Sequence, residues 1–569
     1  MGIESHESEE EKPRGPMDDV VLREHSNENL LKFDTHDNYS TTSVIKKMIM
    51  KSLPPPKTNA PPQPLFNGLL RMGKNPNTPL LFMAFQTPED SATAAELLRG
   101  MLFRGKKQWR ELPVTQRDLQ LTHKGNIRKR SRDSESLGQS KVSQWEGCAM
   151  EEQLSRKKMH CLQVMKAIVP RGGKHEELFA GIHASPELTG YRNHVQLSFG
   201  YTEDAEPSIG FMKGAMVEGT CAIDSAVERD IVTVHPVAKA VAQAVMSVYH
   251  VFSPPEKGGL VVFDKVRQQG FWRKLQVRHN VRGEVMVDIE LDIDSAEASV
   301  VNDVKVQLTD ALLSDALKRK LRTVSGKDTA AVVSAQYHHG TGMISSPLED
   351  VPRHILFGTS TLTESLAGLQ FELSPTSFFQ VNTAGMELLL HETAKVAALS
   401  STTTLLDLCC GTGTIGLTLA KYVKQVIGIE LVESAVRDAR RNAESNNITN
   451  VAFHGGRVEH LLPDIINALP AEDKTDIVAI LDPPRAGVTP TVLKWIRGTQ
   501  TIRRVVYISC EQKALERDCP PLTKPTTKAY RGLPFGVVAG FAVDLFPHTP
   551  HVEMVAVLAR LEDETGDAE

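Results

Sequence analysis

The last third of the chain shows the most regular alternation of apolar and polar positions. Short apolar runs end at residues 408, 430, 481 and 508, and each is followed by polar or glycine residues and then by a helix-forming stretch. Apolar runs that alternate with helical segments indicate buried parallel strands joined by crossover helices. We therefore predict an α/β domain with a mostly parallel sheet over residues 396–562.

The middle of the chain predicts a different architecture. Strand-like runs cover 192–201, 271–280 and 283–291, and an amphipathic helical stretch covers 301–321. Strands that follow one another without regular helical crossovers indicate an α+β domain, which we assign to residues 146–395.

Basic and aromatic residues alternate within these central runs. Arg192 follows Tyr191, and Arg273 follows Trp272. Such interleaving is typical of surfaces that bind a strand of RNA. Ordinary sheet faces around a core tryptophan would explain the same residues, and both interpretations remain open at this point.

The N-terminal region divides by composition. Residues 1–40 are acidic and lack periodicity, which predicts disorder. An apolar strand followed by an Ala/Leu-rich helix resembles the second half of an RNA-recognition motif, with Leu80 and Phe82 where such motifs carry stacking aromatic residues. A degenerate module and a working RNA reader are both compatible with a single aromatic residue there. The remaining assignments are 41–112 for the motif-like module, 113–145 for a basic linker and 563–569 for a disordered tail.

Composition limits the cellular compartments and the bound groups that can be expected for the protein. The chain has 569 residues, a net charge of −5 and seven cysteines. The cysteines form no C-x-x-C pair and no zinc or iron–sulfur spacing, which favours a reducing compartment and predicts no bound metal. No apolar run is long enough to span a bilayer, and the acidic N-terminus is unlike a mitochondrial presequence. We expect a monomeric cytoplasmic or nuclear protein without a membrane partner.

A glycine turn follows the first apolar run of the last domain. In "LLDLCCGTGTIG", Gly411 and Gly413 let the backbone turn sharply and let a ligand approach closely. The next run ends in Glu430, where a carboxylate can accept the two hydroxyls of a ribose. Because G-T-G-T departs from G-x-G-x-x-G, the turn favours S-adenosylmethionine over a dinucleotide.

Three more chemical groups lie at the ends of later runs. Asp482 opens "DPPR", Cys510 follows "VVYIS", and Glu553 opens the last apolar run. The carboxyl ends of parallel strands meet at one edge of a sheet, where ligands bind. We therefore expect two acids and a thiol to converge on one crevice.

Together these motifs resemble the RNA uracil-5-methyltransferase family, which shares D-L-x-C-G-x-G, a D-P-P-R-type loop, a strand-ending S-C and F-P-x-T-x-H-x-E. The resemblance spans about residues 165–562. It implies a Rossmann-like, seven-stranded S-adenosylmethionine-dependent methyltransferase domain that makes 5-methyluridine in tRNA at the T-loop uridine, position 54. The module in front resembles the layout of the eukaryotic cytosolic tRNA enzymes.

The resemblance also implies roles for single residues. Cys510 would be the nucleophile that adds to the uracil ring, and Glu553 the proton acceptor. The residues expected to contact the cofactor are Gln380, Cys409, Gly411, Gly413, Thr414, Glu430 and Asp482. Those considered for substrate contact are Phe378, Arg485, His551, Arg192 and Arg273.

One departure from the family pattern concerns the thiol. Glu511 and Gln512 follow Cys510 where the family has Asn-Pro. A carboxylate beside a thiol would raise the thiol pKa and reduce the thiolate fraction. The alternatives are a non-catalytic tRNA-binding or folding protein of the same fold and a 5-methyluridine enzyme acting on ribosomal RNA. The iron–sulfur cysteines of some ribosomal RNA enzymes are missing, which favours tRNA.

Overall fold

The computed structural model describes residues 143–170, 172–213, 222–263, 270–340 and 351–561, together with short elements between residues 30 and 112. The described residues form two compact units. The first contains the elements up to residue 112, and the second contains everything from residue 143 onward. Of the basic linker proposed for 113–145, only residues 143–145 are described, and the C-terminal tail proposed for 563–569 lies outside the described residues.

The first unit is built on a four-stranded antiparallel sheet with the order β2-β3-β1-β6. Its elements are β1 Leu30–Asp34, β2 Leu69–Lys74, β3 Leu80–Phe85, α1 Pro88–Leu98, β4 Leu102–Phe103, β5 Lys107–Gln108 and β6 Arg110–Leu112. The prediction that residues 1–40 are disordered was wrong for β1. Leu31 and Phe33 are buried on one face of the sheet, because residues two apart on a strand point to the same side.

The strands of the second unit, in chain order, are β7 Phe179–His183, β8 His194–Tyr201, β9 Pro207–Met212, β10 Ile223–Ser225, β11 Trp272–His279, β12 Glu284–Leu291, β13 Ala331–His339, β14 Arg353–Gly358, β15 Leu362–Leu366, β16 Leu369–Leu373, β17 Thr404–Leu408, β18 Gln425–Glu430, β19 Val451–Gly455, β20 Ile477–Leu481, β21 Ile502–Ser509, β22 Phe535–Val543 and β23 Glu553–Arg560.

Its helices are α2 Met150–Ile168, α3 His175–Leu178, α4 Pro236–Phe252, α5 Ala298–Leu313, α6 Asp315–Ser325, α7 Thr383–Val396, α8 Thr414–Leu419, α9 Glu433–Ser445, α10 Val458–Ala468, α11 Pro490–Gly498 and α12 Gln512–Thr523. No helix among the described residues is long and apolar enough to cross a membrane.

The central part of the second unit is a seven-stranded mixed sheet with the order β10-β9-β8-β11-β12-β13-β14. Its apolar face packs against α4, α5 and α6 to form one hydrophobic core. The predicted long helix over 301–321 is two helices, because Ser314 ends α5 and accepts a hydrogen bond from Leu317 N at the start of α6.

The C-terminal part is an eight-stranded sheet with the order β19-β18-β17-β20-β21-β23-β22-β7. Pairing is parallel throughout except around β23, which runs antiparallel to both β21 and β22. The carboxyl ends of seven strands and the amino end of β23 therefore share one edge. We call this edge the catalytic edge.

The predicted seven-stranded sheet gains its eighth strand from far upstream. The strand β7 pairs in parallel with β22, and the apolar face of α2 joins the core on one side of the same sheet. The helix α7 and the hairpin β15–β16 join the core on the other side. A catalytic domain starting at residue 396 therefore omits five elements that complete its hydrophobic layers, namely α2, β7, β15, β16 and α7. The pairing of β7 with β22 leaves no local signal in the sequence, because the two strands are far apart along the chain.

Candidate active site

The glycine turn after β17 opens the catalytic edge. Cys409 and Gly411 both have a positive φ, of 68° and 55°, so the chain doubles back directly after the strand. A side chain at Gly411 would point into open space, whereas one at Gly413 would approach the Phe453 ring at 3.0 Å. Gly413 thus allows close packing of the helix behind it, and Gly411 leaves room for a ligand in front.

Glu430 is fixed against this turn at the end of β18. Its two carboxylate oxygens accept hydrogen bonds from Gly411 N at 3.0 Å and from Val432 N at 2.9 Å. Each oxygen keeps a second lone pair for a ligand. The side chain is therefore held where a pair of ribose hydroxyls could bind, as the sequence predicts.

Asp407, which the sequence analysis did not single out, lies beneath the turn. It is fully buried in β17, and one carboxylate oxygen accepts a hydrogen bond from Gly416 N at 2.8 Å while the other has no partner. Burial, reinforced by Asp482 and Glu430, raises the Asp407 pKa to about 7. An acid inside an otherwise apolar run was the signal that could have found it.

The remaining predicted cofactor residues come from three separate segments. Thr414 begins α8, and its hydroxyl lies 3.2 Å from that of Thr412. Gln380 is half-buried and comes from the segment before α7, where its carbonyl accepts a hydrogen bond from Asn193 at 3.0 Å. Burial raises the pKa of the Cys409 thiol to about 12, so this cysteine stays protonated at neutral pH.

Asp482 follows β20, the strand beside β17. It is half-buried, and burial raises its pKa to about 7. The next strand in the sheet, β21, places Cys510 one residue beyond its end. The two groups therefore lie side by side at the catalytic edge, as expected from parallel neighbours.

The Cys510 thiol lies in an acidic environment. Its pKa is raised to about 11, mainly by burial and also by the charges of Glu553 and Asp482, while Arg485 opposes the shift. All three residues are close enough to act on the sulfur electrostatically. The structure thus brings the predicted thiol, both acids and the arginine of the D-P-P-R loop to one place.

The departure at Glu511 and Gln512 has a structural explanation. The Glu511 carboxylate accepts a hydrogen bond from Lys513 N at 3.4 Å as the N-cap of α12. The Gln512 side chain is buried and donates to the carbonyl of Val552 at 2.8 Å. Glu511 therefore stabilises the start of a helix, and Gln512 ties the thiol loop to the residue that precedes Glu553.

Glu553 is the first residue of the antiparallel strand β23, opposite Val543 of β22. Its side chain is 2% exposed, and one carboxylate oxygen has no hydrogen-bond partner. Burial raises the pKa of Glu553 well above its usual value, the charge of Asp482 adds to this, and Arg485 opposes it. A buried carboxylate with a raised pKa is a suitable proton acceptor.

Three of the residues considered for substrate contact lie close to this site. Burial lowers the pKa of His551, and the charges of Arg485 and Arg192 lower it further, so both arginines lie near the imidazole. Arg485 is exposed. Arg192 is half-buried beside Tyr191, whose hydroxyl donates to the carbonyl of Pro547 at 3.0 Å.

The other two substrate candidates differ sharply in exposure. Phe378 is 69% exposed two residues before Gln380, which leaves its ring open to a partner. Arg273 is 4% exposed and forms an ion pair with Asp292 at 2.5 Å. Its guanidinium belongs to the interior of the central sheet, which corrects the sequence-based assignment of Arg273 to a substrate surface.

The structure decides between the two interpretations of the basic and aromatic residues in the central domain. Tyr191, Phe271 and Trp272 are all 2% exposed or less, and Arg278 is 3% exposed. Trp272 packs in the core with Phe199 at a ring distance of 5.4 Å. The interpretation as sheet faces around a core tryptophan is the one that the structure supports, because Phe271 and Trp272 belong to the core that the helices cover and Arg278 donates to the carbonyl of Ser377 at 2.7 Å.

The residues at the catalytic edge fit an S-adenosylmethionine molecule. The open space above Gly411 would be filled by a Cβ, the Glu430 carboxylate is oriented for a ribose, and Asp482 offers a further carboxylate. No cluster of three or more metal-binding side chains occurs among the residues that the structure describes.

The strand order and the glycine turn define the class of the protein, a Rossmann-like methyltransferase fold. The same fold occurs in the crystal structure of Pyrococcus abyssi tRNA (uracil-54, C5)-methyltransferase in complex with S-adenosyl-L-homocysteine. That structure aligns with a TM-score of 0.50 and 23% identity over 73% of this chain and 85% of its own.

Sequence comparison narrows the class to a family. The family model of tRNA (Uracil-5-)-methyltransferase matches residues 353–561. The human tRNA (uracil-5-)-methyltransferase homolog A is 31% identical over 514 residues, covering 86% of this chain and 78% of the relative. The human homolog B is 34% identical over 406 residues, covering 69% and 74%. The chain belongs to the tRNA (uracil-5-)-methyltransferase family, which confirms the resemblance found in the sequence.

Proposed function

We propose that this protein methylates C5 of a uridine in tRNA, namely the T-loop uridine, with S-adenosylmethionine as methyl donor. The observation that carries the proposal is the meeting of Cys510, Glu553 and Asp482 beside the glycine turn. A thiol and a buried base at one place supply both groups that this reaction needs. The choice of uridine is supported by the Pyrococcus abyssi relative, which is named for uracil 54.

The chemistry assigns a separate step to each side chain. Uracil C5 is a poor nucleophile until another nucleophile has added to C6. The Cys510 thiolate forms a bond from Sγ to C6, and the enolate that results is nucleophilic at C5. S-adenosylmethionine supplies an electrophilic methyl group carried on a positively charged sulfur.

Glu553 completes the reaction after C5 has been methylated. Its carboxylate removes the C5 proton, the electron pair of the C5–H bond forms the C5–C6 double bond, and the C6–S bond breaks to release the thiolate. The raised pKa of Glu553 makes the carboxylate a stronger base for this step. The target base must leave the stacked loop to reach the crevice, and the exposed ring of Phe378 is available as a stacking surface.

We also propose that the first unit is a degenerate RNA-recognition motif. The sheet order β2-β3-β1-β6 and the helix that follows β3 support this assignment. The side chains of Leu80 and Phe82, on which base stacking would depend, lie outside the described residues. The cytosol or the nucleus is the proposed location, in line with seven cysteines that form no C-x-x-C pair.

The direct test is methylation of a tRNA transcript by the purified full-length protein, with nucleosides analysed by mass spectrometry. We expect 5-methyluridine in the wild-type transcript and none when the T-loop uridine is replaced by cytidine. Methylation of ribosomal RNA instead, or binding of tRNA without methylation, would overturn the proposal. Cys519→Ala, at a buried cysteine of α12 to which no role is assigned, is the matched control for Cys510→Ala.

A further inference from the structure

The loop between β22 and β23, residues 544–552, leads directly into Glu553. Its backbone carbonyls are held by side chains and backbone from outside the loop. Asn382 donates to the carbonyl of Leu545 at 3.1 Å, and Tyr191 donates to that of Pro547 at 3.0 Å. Gln512 donates to the carbonyl of Val552 at 2.8 Å.

The segment Trp145–Lys157 supplies the most contacts to this loop. The amide of Trp145 donates to the carbonyl of His548 at 2.8 Å, and the side chain of Gln153 accepts from His548 N at 2.7 Å. His548 has a positive φ of 64°, a conformation that non-glycine residues rarely adopt. Contacts on both sides of the residue over-determine this conformation, as a strained position requires.

Lys157 of the same segment forms a buried ion pair at the start of the loop. Its ammonium donates to Asp544 at 2.6 Å and to the carbonyl of Phe546 at 3.0 Å. Both charged side chains are fully buried. A buried ion pair adds little net stability relative to apolar residues of the same size, because desolvation offsets the attraction. Its clear effect here is geometric, since one cation fixes a carboxylate and a carbonyl of the loop at once.

We propose that Trp145–Lys157 is a positioning clamp for the proton acceptor, with Lys157 as its anchor and Tyr191 as a second support. The clamp fixes the loop so that the Glu553 carboxylate reaches the C5 proton of the bound uridine. Lys157 acts through the loop and not on the substrate, so it is a positioning residue. The inference rests on the proposed function. It adds a positioning role for Trp145–Lys157, which lies far upstream of the methyltransferase motifs in the sequence.

The clamp predicts a specific kinetic defect. Addition of Cys510 to C6 and methylation of C5 require Cys510 and the cofactor site, whereas release of the product requires Glu553 in position. Loosening the loop should therefore slow proton removal more than the earlier steps. The methylated covalent complex between protein and tRNA should accumulate with ordinary uridine in the substrate.

The experiment compares Lys157→Met, Lys157→Met with Asp544→Asn, and Tyr191→Phe in the full chain. The double variant removes the unpaired buried charge that the single substitution would leave, and Tyr191→Phe removes only one hydroxyl, so at least one variant should fold. The matched control is Lys158→Met, at an exposed lysine next to the anchor. Each protein is mixed with tRNA and S-adenosylmethionine, and both 5-methyluridine and denaturation-resistant complex are measured.

We expect turnover to fall roughly tenfold or more in the Lys157 variants. The ratio of trapped complex to product should rise by about the same factor, with a smaller shift in Tyr191→Phe and none in Lys158→Met. A proportional loss of complex and product, or an unchanged ratio in every variant that melts cooperatively, would overturn the clamp. If the wild type makes no 5-methyluridine in tRNA, the proposed function fails instead.

Discussion

The central sheet and the catalytic edge both bury charged side chains, but they treat these charges in opposite ways. In the central sheet, Asp288 is paired with His338 at 3.1 Å and with Arg353 at 3.2 Å. Lys274 pairs with Glu290 at 2.5 Å. Burial works against ionisation of Glu290, but hydrogen bonds from His338 and Lys274 prevail and lower its pKa to about 2.

At the catalytic edge, acids are buried next to one another. Asp407 and Glu553 each have a carboxylate oxygen without a partner, and Asp482 lies close enough to raise the pKa of both. Arg485 is the cation that opposes these shifts at Glu553 and Cys510. The contrast teaches that buried charge alone does not mark a functional site. The distinguishing sign is a group of buried acids placed next to one another, since neighbouring like charges raise each other's pKa and cost stability.

The largest effect is expected on catalysis when the buried base is removed. Glu553→Gln keeps the shape of the side chain but cannot accept the C5 proton. Product formation should fall by about 10²- to 10⁴-fold, the usual range for a positioned base. Quantification of 5-methyluridine in single-turnover reactions measures this, with the exposed Glu444→Gln as control. A loss of less than tenfold would mean that another group removes the proton.

Stability should respond with opposite signs in the two regions. Asp288→Asn removes the buried carboxylate that pairs with Arg353 and His338, and His338 keeps Glu290 at 3.8 Å, so the free energy of unfolding should fall by about 1.5–3 kcal/mol. Glu553→Gln should instead raise the melting temperature at neutral and alkaline pH. Calorimetry of both variants against the wild type provides the measurement.

The sign for Glu553 follows from its pKa. An unfolded glutamate titrates near 4.5, and the folded value is well above that. The wild type therefore loses stability as pH rises from about 4.5 through the folded pKa, whereas the glutamine variant does not. The gain in melting temperature should grow with pH across this window. A gain that is constant with pH would contradict the raised pKa.

Substitution of the charged residues around the Cys510 thiol should have a smaller effect, seen as a shift in the pH at which the thiol reacts. In the free protein, alkylation of Cys510 should increase with pH around a midpoint near 11, because burial and the two acids hold the thiol protonated. Asp482→Asn should shift this midpoint downward, and Arg485→Ala should shift it upward. Peptide-resolved mass spectrometry after brief iodoacetamide treatment follows each cysteine separately. Shifts in the reverse directions would show that these side chains do not act on the sulfur.

The smallest effect on catalysis is expected at Glu511. Its carboxylate caps α12 and is not among the charges that raise the pKa of Cys510. Glu511→Ala should lower stability by about 0.5–2 kcal/mol through loss of the helix cap. The rate of methylation should change by less than about threefold, within the range of small electrostatic changes at a capped position. A large gain in thiol reactivity would show that the carboxylate does face Cys510.

The sequence was informative wherever a function depends on residues that end a strand. Gly411, Glu430, Asp482 and Cys510 follow apolar runs, and a parallel sheet brings such positions together regardless of loop length. Glu553 could be predicted for a related reason, because it is the first residue of the last apolar run. These assignments needed only the order of the strands and the polarity of the residue after each one.

The features that the sequence did not reveal depend on contacts between distant segments. Lys157 meets Asp544 across 387 positions, and nothing in the amphipathic pattern of α2 distinguishes this lysine from its exposed neighbours. The pairing of β7 with β22 was hidden for the same reason. Arg273 was considered for substrate contact, and the place of Trp272 was left open, because composition does not indicate which face of a strand a helix will cover.

The most direct test of the central claim is to trap the protein on tRNA that contains 5-fluorouridine in the presence of S-adenosylmethionine. Fluorine at C5 cannot be removed as a proton, so the covalent complex persists. The structure predicts a denaturation-resistant complex whose cross-linked peptide contains Cys510 and which is lost in Cys510→Ala. A complex that survives that substitution, or one linked through another cysteine, would contradict it.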